Sequence, residues 1–403
     1  MVVHTHGARR RRGVTALLTT LCAVTLGACT PSLAPGTQVG SDPFASPVVP
    51  STGSSPGSKG ETTSSQSGAL DAPTPRRGHG TVRVAHPEGT SLPAALVEGF
   101  TRTTGFDVVE VPVPVKDWES GSLGGESADV LVDLDETQLL AATQASTVAD
   151  AAPRDMTSPE GTGVEEAPAG IAYARDDVCV LADAQWFAAN RRDDLPTTLA
   201  DLTAGKGASL LNVPDPTTTT AGRAFVQFIG ASTGGDAAAT MAALLDAGAH
   251  TVGADQAAAA WTASARGDAQ SGARSGGVAS AARPLTVGPV SQIAASETNT
   301  GTEAAGRLVG GTCVRRNLYA AGVGVGAGNE DGAQSWMAYL LGREAQQVLA
   351  DTATAYPLDA GAVEDTPAQW FLTPSDKALG LSVAEIGRTA QWMTSWKDAS
   401  SHR

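Results

Sequence analysis

Alternating and helically spaced apolar residues predict strands and helices that follow one another along most of the chain. Residues 81–85, 106–113 and 128–134 read as strands, because apolar and polar positions alternate or run as short apolar segments. Between the first two strands, apolar residues recur at helical spacing over residues 92–100, with Ser91 as the expected N-cap. Strands that alternate with helices predict a largely parallel α/β sheet.

The middle and the end of the chain repeat this alternation. Strands are predicted at residues 177–181, 210–213 and 313–325, and a loop at 267–283. A helical stretch is predicted to start at residues 186–188, and further helices are predicted at 195–202, 221–229 and 334–349. A last helix is predicted to begin at Ser382, because Ser382 and Glu385 have the spacing of a capping box.

The N-terminus has the features of an export signal. Four arginines at residues 9–12 precede a short apolar run over residues 13–26, and Leu26-Gly27-Ala28 leads directly into Cys29. Small residues before a cysteine resemble the lipobox of bacterial lipoproteins, in which the cysteine becomes residue one and carries the lipid. The sequence therefore predicts a signal peptide at residues 1–28 and lipidation at Cys29. An ordinary signal peptide with a chance cysteine is the alternative.

Residues 29–79 are predicted to be a disordered tether, because proline, serine, glycine and threonine dominate and large apolar residues are almost absent. Removal of the signal peptide takes away four arginines and no acidic residue, so the net charge of −15 becomes −19. This acidity argues against a nucleic-acid partner, which requires a basic surface. A membrane contact is expected only through the lipid, on the extracytoplasmic face of the cell membrane.

Several segments, in chain order, resemble the extracytoplasmic solute-binding lipoproteins of bacterial ABC importers, specifically the thiamine-type branch. They are residues 82–100, 128–135, 177–180, 214–222, 356–358 and 392–396. The resemblance implies a two-lobe α/β fold of the type II periplasmic-binding-protein class with a ligand cleft between the lobes. Lobe 1 would take residues 80–176, lobe 2 residues 177–316, and residues 317–403 would return to lobe 1 and add C-terminal helices.

The same resemblance implies a binding function without catalysis and without a cofactor. The expected partners are a small-molecule solute and the permease and ATPase subunits of the importer, and a monomer is expected. A surface lipoprotein that uses this fold as a sensor or scaffold is the alternative. A G-x-S-x-G pattern at residues 230–234 follows an apolar helix rather than a strand, so it does not indicate a hydrolase.

The best local signal for a site is the threonine run after Asp215, at the junction of a predicted strand and helix. Hydroxyl groups and free amides at a helix start favour a polar or anionic group, although simple helix capping is the alternative. The resemblance adds other positions, for which capping, a hinge hydrogen bond or solvation are alternatives. The candidate ligand-binding residues are Asp135, Arg175, Asp177, Thr217, Thr218, Thr219, Thr220, Ser291 and Tyr356.

The sequence also departs from the thiamine-type pattern. Positions that carry stacking aromatic residues in the family fall near Ala254 and Gly288, and Tyr356 is the one that stays in register. Adjacent tyrosines, which bind iron in other relatives, do not occur in the sequence, and no metal site is expected. A compact polar or anionic organic solute is therefore favoured over thiamine or ferric iron.

The cysteines give a separate prediction. Cys22 leaves with the signal peptide and Cys29 takes the lipid, so Cys179 and Cys313 remain in an oxidising compartment. Both are expected in strands where the chain crosses between the lobes, which would bring them close enough for a disulfide. Two independent buried thiols are the alternative.

Overall fold

The computed structural model describes residues 72–190, 192–265, 283–293, 306–366 and 377–401. The predicted signal peptide, Cys29 and the tether up to residue 71 lie outside the described residues, as does nearly all of the predicted loop at 267–283. The last residues of the predicted tether lie against the body of the protein, where the Gly78 amide donates to the Thr104 carbonyl at 2.9 Å. Across the described ranges, no helix has the length and apolar character needed to cross a membrane.

The described chain contains strands and helices in the following order. The strands are β1 (Thr81–Pro87), β2 (Asp107–Val113), β3 (Val130–Leu134), β4 (Gly170–Arg175), β5 (Val178–Asp183), β6 (Leu211–Pro214), β7 (His250–Val252), β8 (Leu285–Pro289), β9 (Gly306–Leu308), β10 (Asn317–Gly322) and β11 (Tyr356–Pro357). The helices are α1 (Ala94–Thr104), α2 (Val115–Glu119), α3 (Glu136–Gln144), α4 (Ala184–Ala189), α5 (Leu199–Thr203), α6 (Thr220–Thr233), α7 (Ala237–Asp246), α8 (Ala254–Ala265), α9 (Glu330–Leu341), α10 (Arg343–Thr352), α11 (Val383–Ile386) and α12 (Thr389–Ser401).

These strands form two separate mixed sheets, and the predicted α/β class is confirmed. The first sheet has the order β11-β4-β10-β3-β1-β2, and the second has the order β7-β6-β8-β5-β9. Strands β1, β2 and β3 are parallel, but β10 runs antiparallel to both β3 and β4. The expected largely parallel sheet is therefore interrupted, because the chain returns from the second sheet and inserts β10 in the opposite direction.

Each sheet has its own apolar core. We define the first lobe as the first sheet with α1–α3, α9 and α10. In its core the Phe100 and Trp336 rings pack edge to face, with ring centroids 4.8 Å apart. The second lobe is the second sheet with α4–α8 and α12. In its core the ring centroids of Phe225 and Trp396 are 6.5 Å apart. The last helix, α12, thus packs on α6 and α7 of the second lobe. Gly230 permits this contact, since a Cβ there would lie 2.1 Å from the Trp392 ring.

Several predicted elements differ from the structure in their limits. The helix expected at residues 334–349 is two helices, because Gly342 takes an extended conformation with ψ 151°. The strand expected at residues 313–325 is reduced to β10, and the last helix is interrupted between α11 and α12. Ser91 is not the N-cap of α1. Pro93 occupies that position, without a side-chain cap, and Gly105 ends the helix at φ 83° as its place in the sequence suggests.

The lobes are joined by segments that run side by side. The chain leaves the first lobe at Asp176 and returns at Arg316, where the Asp176 amide donates to the Arg316 carbonyl at 2.8 Å. Val178 and Val314 pair antiparallel next to this point, and the predicted disulfide between Cys179 and Cys313 is present, with Cα atoms 4.1 Å apart. Cys313 lies beside this isolated bridge and not in a regular strand, because the returning segment pairs with β5 at only one residue.

Candidate functional site

A cavity of about 490 Å³ lies between the two sheets and is lined by both lobes. Its walls are largely apolar and include Leu92, Leu96, Val115 and Leu318. The polar and aromatic groups come from α2, β3, β4, the segment after β1, the turn that begins α6 and the crossover segments. They include Glu88, Trp118, Glu119, Asp133 and Tyr173 from the first lobe, Thr218, Thr219 and Thr220 from the second, and Asp176 and Arg316 from the crossover.

The threonine turn is held in place by Asp215. Its carboxylate Oδ1 accepts from the amide and hydroxyl of Thr217 at 2.8 and 2.7 Å, and its carbonyl accepts from the Thr218 and Thr219 amides. The Thr219 hydroxyl then caps α6 by accepting from the Gly222 amide at 3.1 Å. Gly222 is needed here because a Cβ would lie 2.1 Å from the Pro214 carbonyl oxygen.

This turn leaves hydrogen-bond donors at the cavity. In the part of the chain that the structure describes, the amides of Thr220 and Ala221 have no protein acceptor, and both residues line the cavity. Free amides at the start of a 14-residue helix attract negative charge. Thr217 is exposed and does not line the cavity, since its hydroxyl is bound to Asp215.

Arg316 supplies a cation to the same cavity. Its side chain is 16% exposed, and its Nε is buried without a hydrogen-bond partner. The nearest carboxylate oxygen is Asp135 Oδ2 at 3.8 Å, and the guanidinium makes no hydrogen bond to any described residue. An arginine in this setting can bind a carboxylate or phosphate through its planar fork of donors.

Asp135 does not line the cavity because it serves as a buried partner between the lobes. It caps α3, and its Oδ2 accepts from Arg223 of α6 at 2.8 Å. Arg223 also pairs with Glu119 of α2, and we call Glu119, Asp135 and Arg223 the interlobe latch. Burial raises the pKa of Asp135 against the opposing effect of Arg316, and burial lowers the pKa of Arg223 to about 9.

Arg175, Asp177 and Tyr356 lie at the crossover and do not line the cavity. Arg175 binds Asp177 through two hydrogen bonds of 2.7 Å, and Asp177 Oδ1 also accepts from the Arg316 amide at 3.2 Å. Tyr356 pairs with Arg175 between β11 and β4 and packs in the cluster that contains both disulfide cysteines. The side chains of Arg175 and Asp177 thus bind each other.

Ser291 does not line the cavity but contacts Asp176, which does. Its amide and hydroxyl donate to the two carboxylate oxygens of Asp176 at 3.0 and 2.7 Å. Asp176 lines the cavity, and burial raises its pKa to about 6 although the Ser291 hydrogen bonds oppose the shift. Of the predicted ligand residues, the structure therefore brings only Thr218, Thr219 and Thr220 to the cavity surface.

Sequence reasoning missed Trp118, Tyr173, Asp133 and Arg316. Trp118 and Tyr173 give the cavity an aromatic lining, although the positions near Ala254 and Gly288, where stacking residues were expected by resemblance, carry none. Tyr173 lies in β4, an apolar segment that could have been read as a strand ending at the crossover. Arg316 had a weaker signal, since it follows the predicted crossover cysteine by three residues.

The family comparison agrees with this architecture. The profile described as bacterial extracellular solute-binding protein matches residues 83–352, two-thirds of the chain. The chain belongs to that family. A comparison of its sequence with curated proteins gives no match.

Solved structures show the same fold for the solute-binding protein. One is Trichodesmium IdiA (FutA) in complex with iron and citrate, at 16% identity and a TM-score of 0.59, covering 79% of this chain and 99% of the other. Another is a periplasmic thiamin binding protein, at 16% identity and a TM-score of 0.58, covering 81% and 98%. A third is AfuA from Actinobacillus pleuropneumoniae with fructose-6-phosphate bound, at 14% identity and a TM-score of 0.56, covering 79% and 98%. Within the described residues, no cluster of three or more His, Cys, Asp or Glu side chains could hold a metal ion.

Proposed function

We propose that this protein is the solute-binding subunit of an ABC importer and captures a small organic solute with an anionic group between its lobes. The single observation that carries the proposal is the cavity of about 490 Å³, which takes its walls from both sheets. A cleft shared by two α/β lobes, beyond the ends of strands, is the usual position of a ligand in such folds.

The polar groups of the cavity support an anionic group on the solute. Arg316 offers a guanidinium that makes no hydrogen bond to a described residue, with Asp135 Oδ2 as its nearest carboxylate oxygen at 3.8 Å. The turn offers the Thr218 hydroxyl and the Thr220 amide at the start of α6. The apolar walls with Trp118 and Tyr173 suit an organic body rather than a bare inorganic ion. That a structural neighbour holds fructose-6-phosphate adds support for a phosphorylated or carboxylated solute.

The lobe boundaries and the membrane attachment belong to the same proposal. The first lobe would take residues 80–176 and the return from residue 317, and the second lobe would take residues 177–316 together with the C-terminal helix α12, which packs on α6 and α7. Lipidation at Cys29 would hold the protein at the extracytoplasmic face, from which a permease receives the solute. Cys29→Ala should then move the protein from the membrane fraction to the soluble fraction, while Cys22→Ala leaves it at the membrane.

A thermal-shift panel of sugar phosphates, carboxylates, amino acids, vitamins and neutral sugars tests the function. A solute present at about 100 times its Kd adds ~2.7 kcal/mol of stability, which appears as a rise in melting temperature of several degrees. Anionic members are expected to give the response. No response from any class would reject solute capture and favour the sensor or scaffold alternative.

A further inference from the structure

Asp133 occupies an unusual place at the cavity. Leu131 and Leu134 of β3 pair with Ala321 and Tyr319 of β10, so β3 has two residues between these pairs where β10 has one. The extra residue makes a bulge, and Asp133 within it takes a left-handed conformation with φ 61°. Bulges next to sites redirect a side chain, and this one places Asp133 at the cavity.

The left-handed conformation is one that aspartate tolerates better than most residues with a Cβ, and here it directs the carboxylate toward the cavity. Glycine takes this conformation without strain, whereas residues with a Cβ adopt it at a cost that recurs at ligand sites. Asp133 makes one side-chain hydrogen bond among the described residues, from the Tyr173 hydroxyl to its Oδ1. Burial and the Asp133 carboxylate hold the pKa of Tyr173 well above its usual value, so the phenol stays protonated and donates.

The other carboxylates near the cavity are already compensated. Glu119 is paired with Arg223, and Asp176 accepts two hydrogen bonds from Ser291. Glu88 is exposed at the rim. The second oxygen of Asp133, Oδ2, has no hydrogen-bond partner in the described ranges. Asp133 is half-buried, and among the residues the structure describes no cation lies within ion-pair distance of it, so Oδ2 is open to a group on the solute.

We propose that Asp133, presented by the β3 bulge and oriented by Tyr173, selects solutes that carry a positively charged nitrogen in addition to their anionic group. The proposal rests on the proposed function and narrows it to solutes with both charges. Asp133 would accept a charge-assisted hydrogen bond from an ammonium or similar group through Oδ2. The threonine turn and Arg316 would bind the anionic group of the same solute.

Two ring phosphates that differ in one group provide the probes. Glucosamine 6-phosphate carries a primary amine where glucose 6-phosphate carries a hydroxyl, and both have the ring and the phosphate but no other basic nitrogen. Calorimetric titration of the wild-type protein should give glucosamine 6-phosphate about tenfold to hundredfold tighter binding, as expected for a hydrogen bond to a charged group. Asp133→Asn keeps the shape and tolerates the backbone conformation, and it should bring the two Kd values within about threefold of each other.

Asp155→Asn is the matched control, since Asp155 also has a positive φ of 57° but is exposed and does not line the cavity. That variant should keep the wild-type preference. Equal binding of the two probes by the wild-type protein, absence of binding by both, or a preference that survives Asp133→Asn would overturn the selectivity. If anionic members of the thermal-shift panel still bind, the solute-binding function stands and only the role of Asp133 is lost.

Discussion

Replacing Arg223 with methionine should weaken solute binding by opening the lobes. Arg223 is 9% exposed and joins two first-lobe carboxylates, Asp135 at 8% and Glu119 at 25% exposure, to helix α6 of the second lobe. Methionine fills the space of the aliphatic stem but leaves both carboxylates without this partner. Removing one member of a buried ion pair costs about 3–5 kcal/mol.

The cost falls on the closed state, because opening lets both carboxylates regain water. We take the lower value, ~3 kcal/mol, since Glu119 is a quarter exposed and Asp135 keeps its hydrogen bond from the Gln138 amide. At about 1.4 kcal/mol for each factor of ten, solute affinity should fall roughly 100-fold. Small-angle scattering without solute should show a larger radius of gyration than the wild-type protein has.

Calorimetric titration with a solute found by the thermal-shift panel measures the affinity. Arg102→Met is the matched control, because the Arg102–Glu344 pair is 67% and 41% exposed. Such surface pairs contribute about 0–1 kcal/mol, so this variant should change affinity less than about fivefold. If Arg223→Met keeps wild-type affinity and the same scattering profile, the latch does not stabilise closure and the reasoning from its burial is refuted.

Two further predictions concern the crossover and its surroundings. Replacing both Cys179 and Cys313 with serine should lower the free energy of unfolding by up to about 5 kcal/mol, because the disulfide closes a loop over a sequence separation of 134 residues. Solute affinity should stay nearly unchanged. A denaturant titration with an unchanged midpoint would contradict this prediction. Burial raises the pKa of Glu136 to about 7 from its usual 4.5, so its ionisation should remove stability as pH rises from about 4.5 to 7, by at most about 3 kcal/mol. Glu136→Gln should flatten that loss in melting-temperature profiles, and a profile as steep as the wild-type one would show that another group is responsible.

The sequence was sufficient for those parts of the fold that depend on local pattern. Periodicity placed β1, β2 and α1 within a few residues, and the capping box at Ser382 and the N-cap at Asp135 have the expected side-chain geometry. The split of the helix at Gly342 was missed because one glycine inside an apolar pattern does not reveal its backbone conformation. The antiparallel β10 was missed because direction within a sheet depends on the path of the chain from the other lobe.

The candidate site was predicted only where it depends on local sequence, and it was missed where it depends on contacts between distant segments. The turn of Thr218–Thr220 could be located because its hydroxyls, amides and helix start all come from one short segment. Asp135 was expected to face the solute, but its role depends on Arg223, which is 88 residues away in sequence. The position of Asp133 at the cavity depends on a register shift of β3 against β10, and no local pattern in an apolar strand contains that information.

The central claim is that a solute binds between the lobes against the threonine turn, and a titration of two neighbouring variants tests it most directly. Thr218 lines the cavity, is exposed and does not cap α6, so Thr218→Trp should fill the cleft without unfolding the protein. Thr217→Trp changes the adjacent exposed residue outside the cavity and serves as the control, because it removes the hydroxyl contact to Asp215 but keeps the amide one that holds the turn. With the solute found by the panel, calorimetry should show one site in the wild-type protein and in Thr217→Trp, and no measurable binding in Thr218→Trp. Equal binding by both variants would place the solute elsewhere and contradict the proposed site.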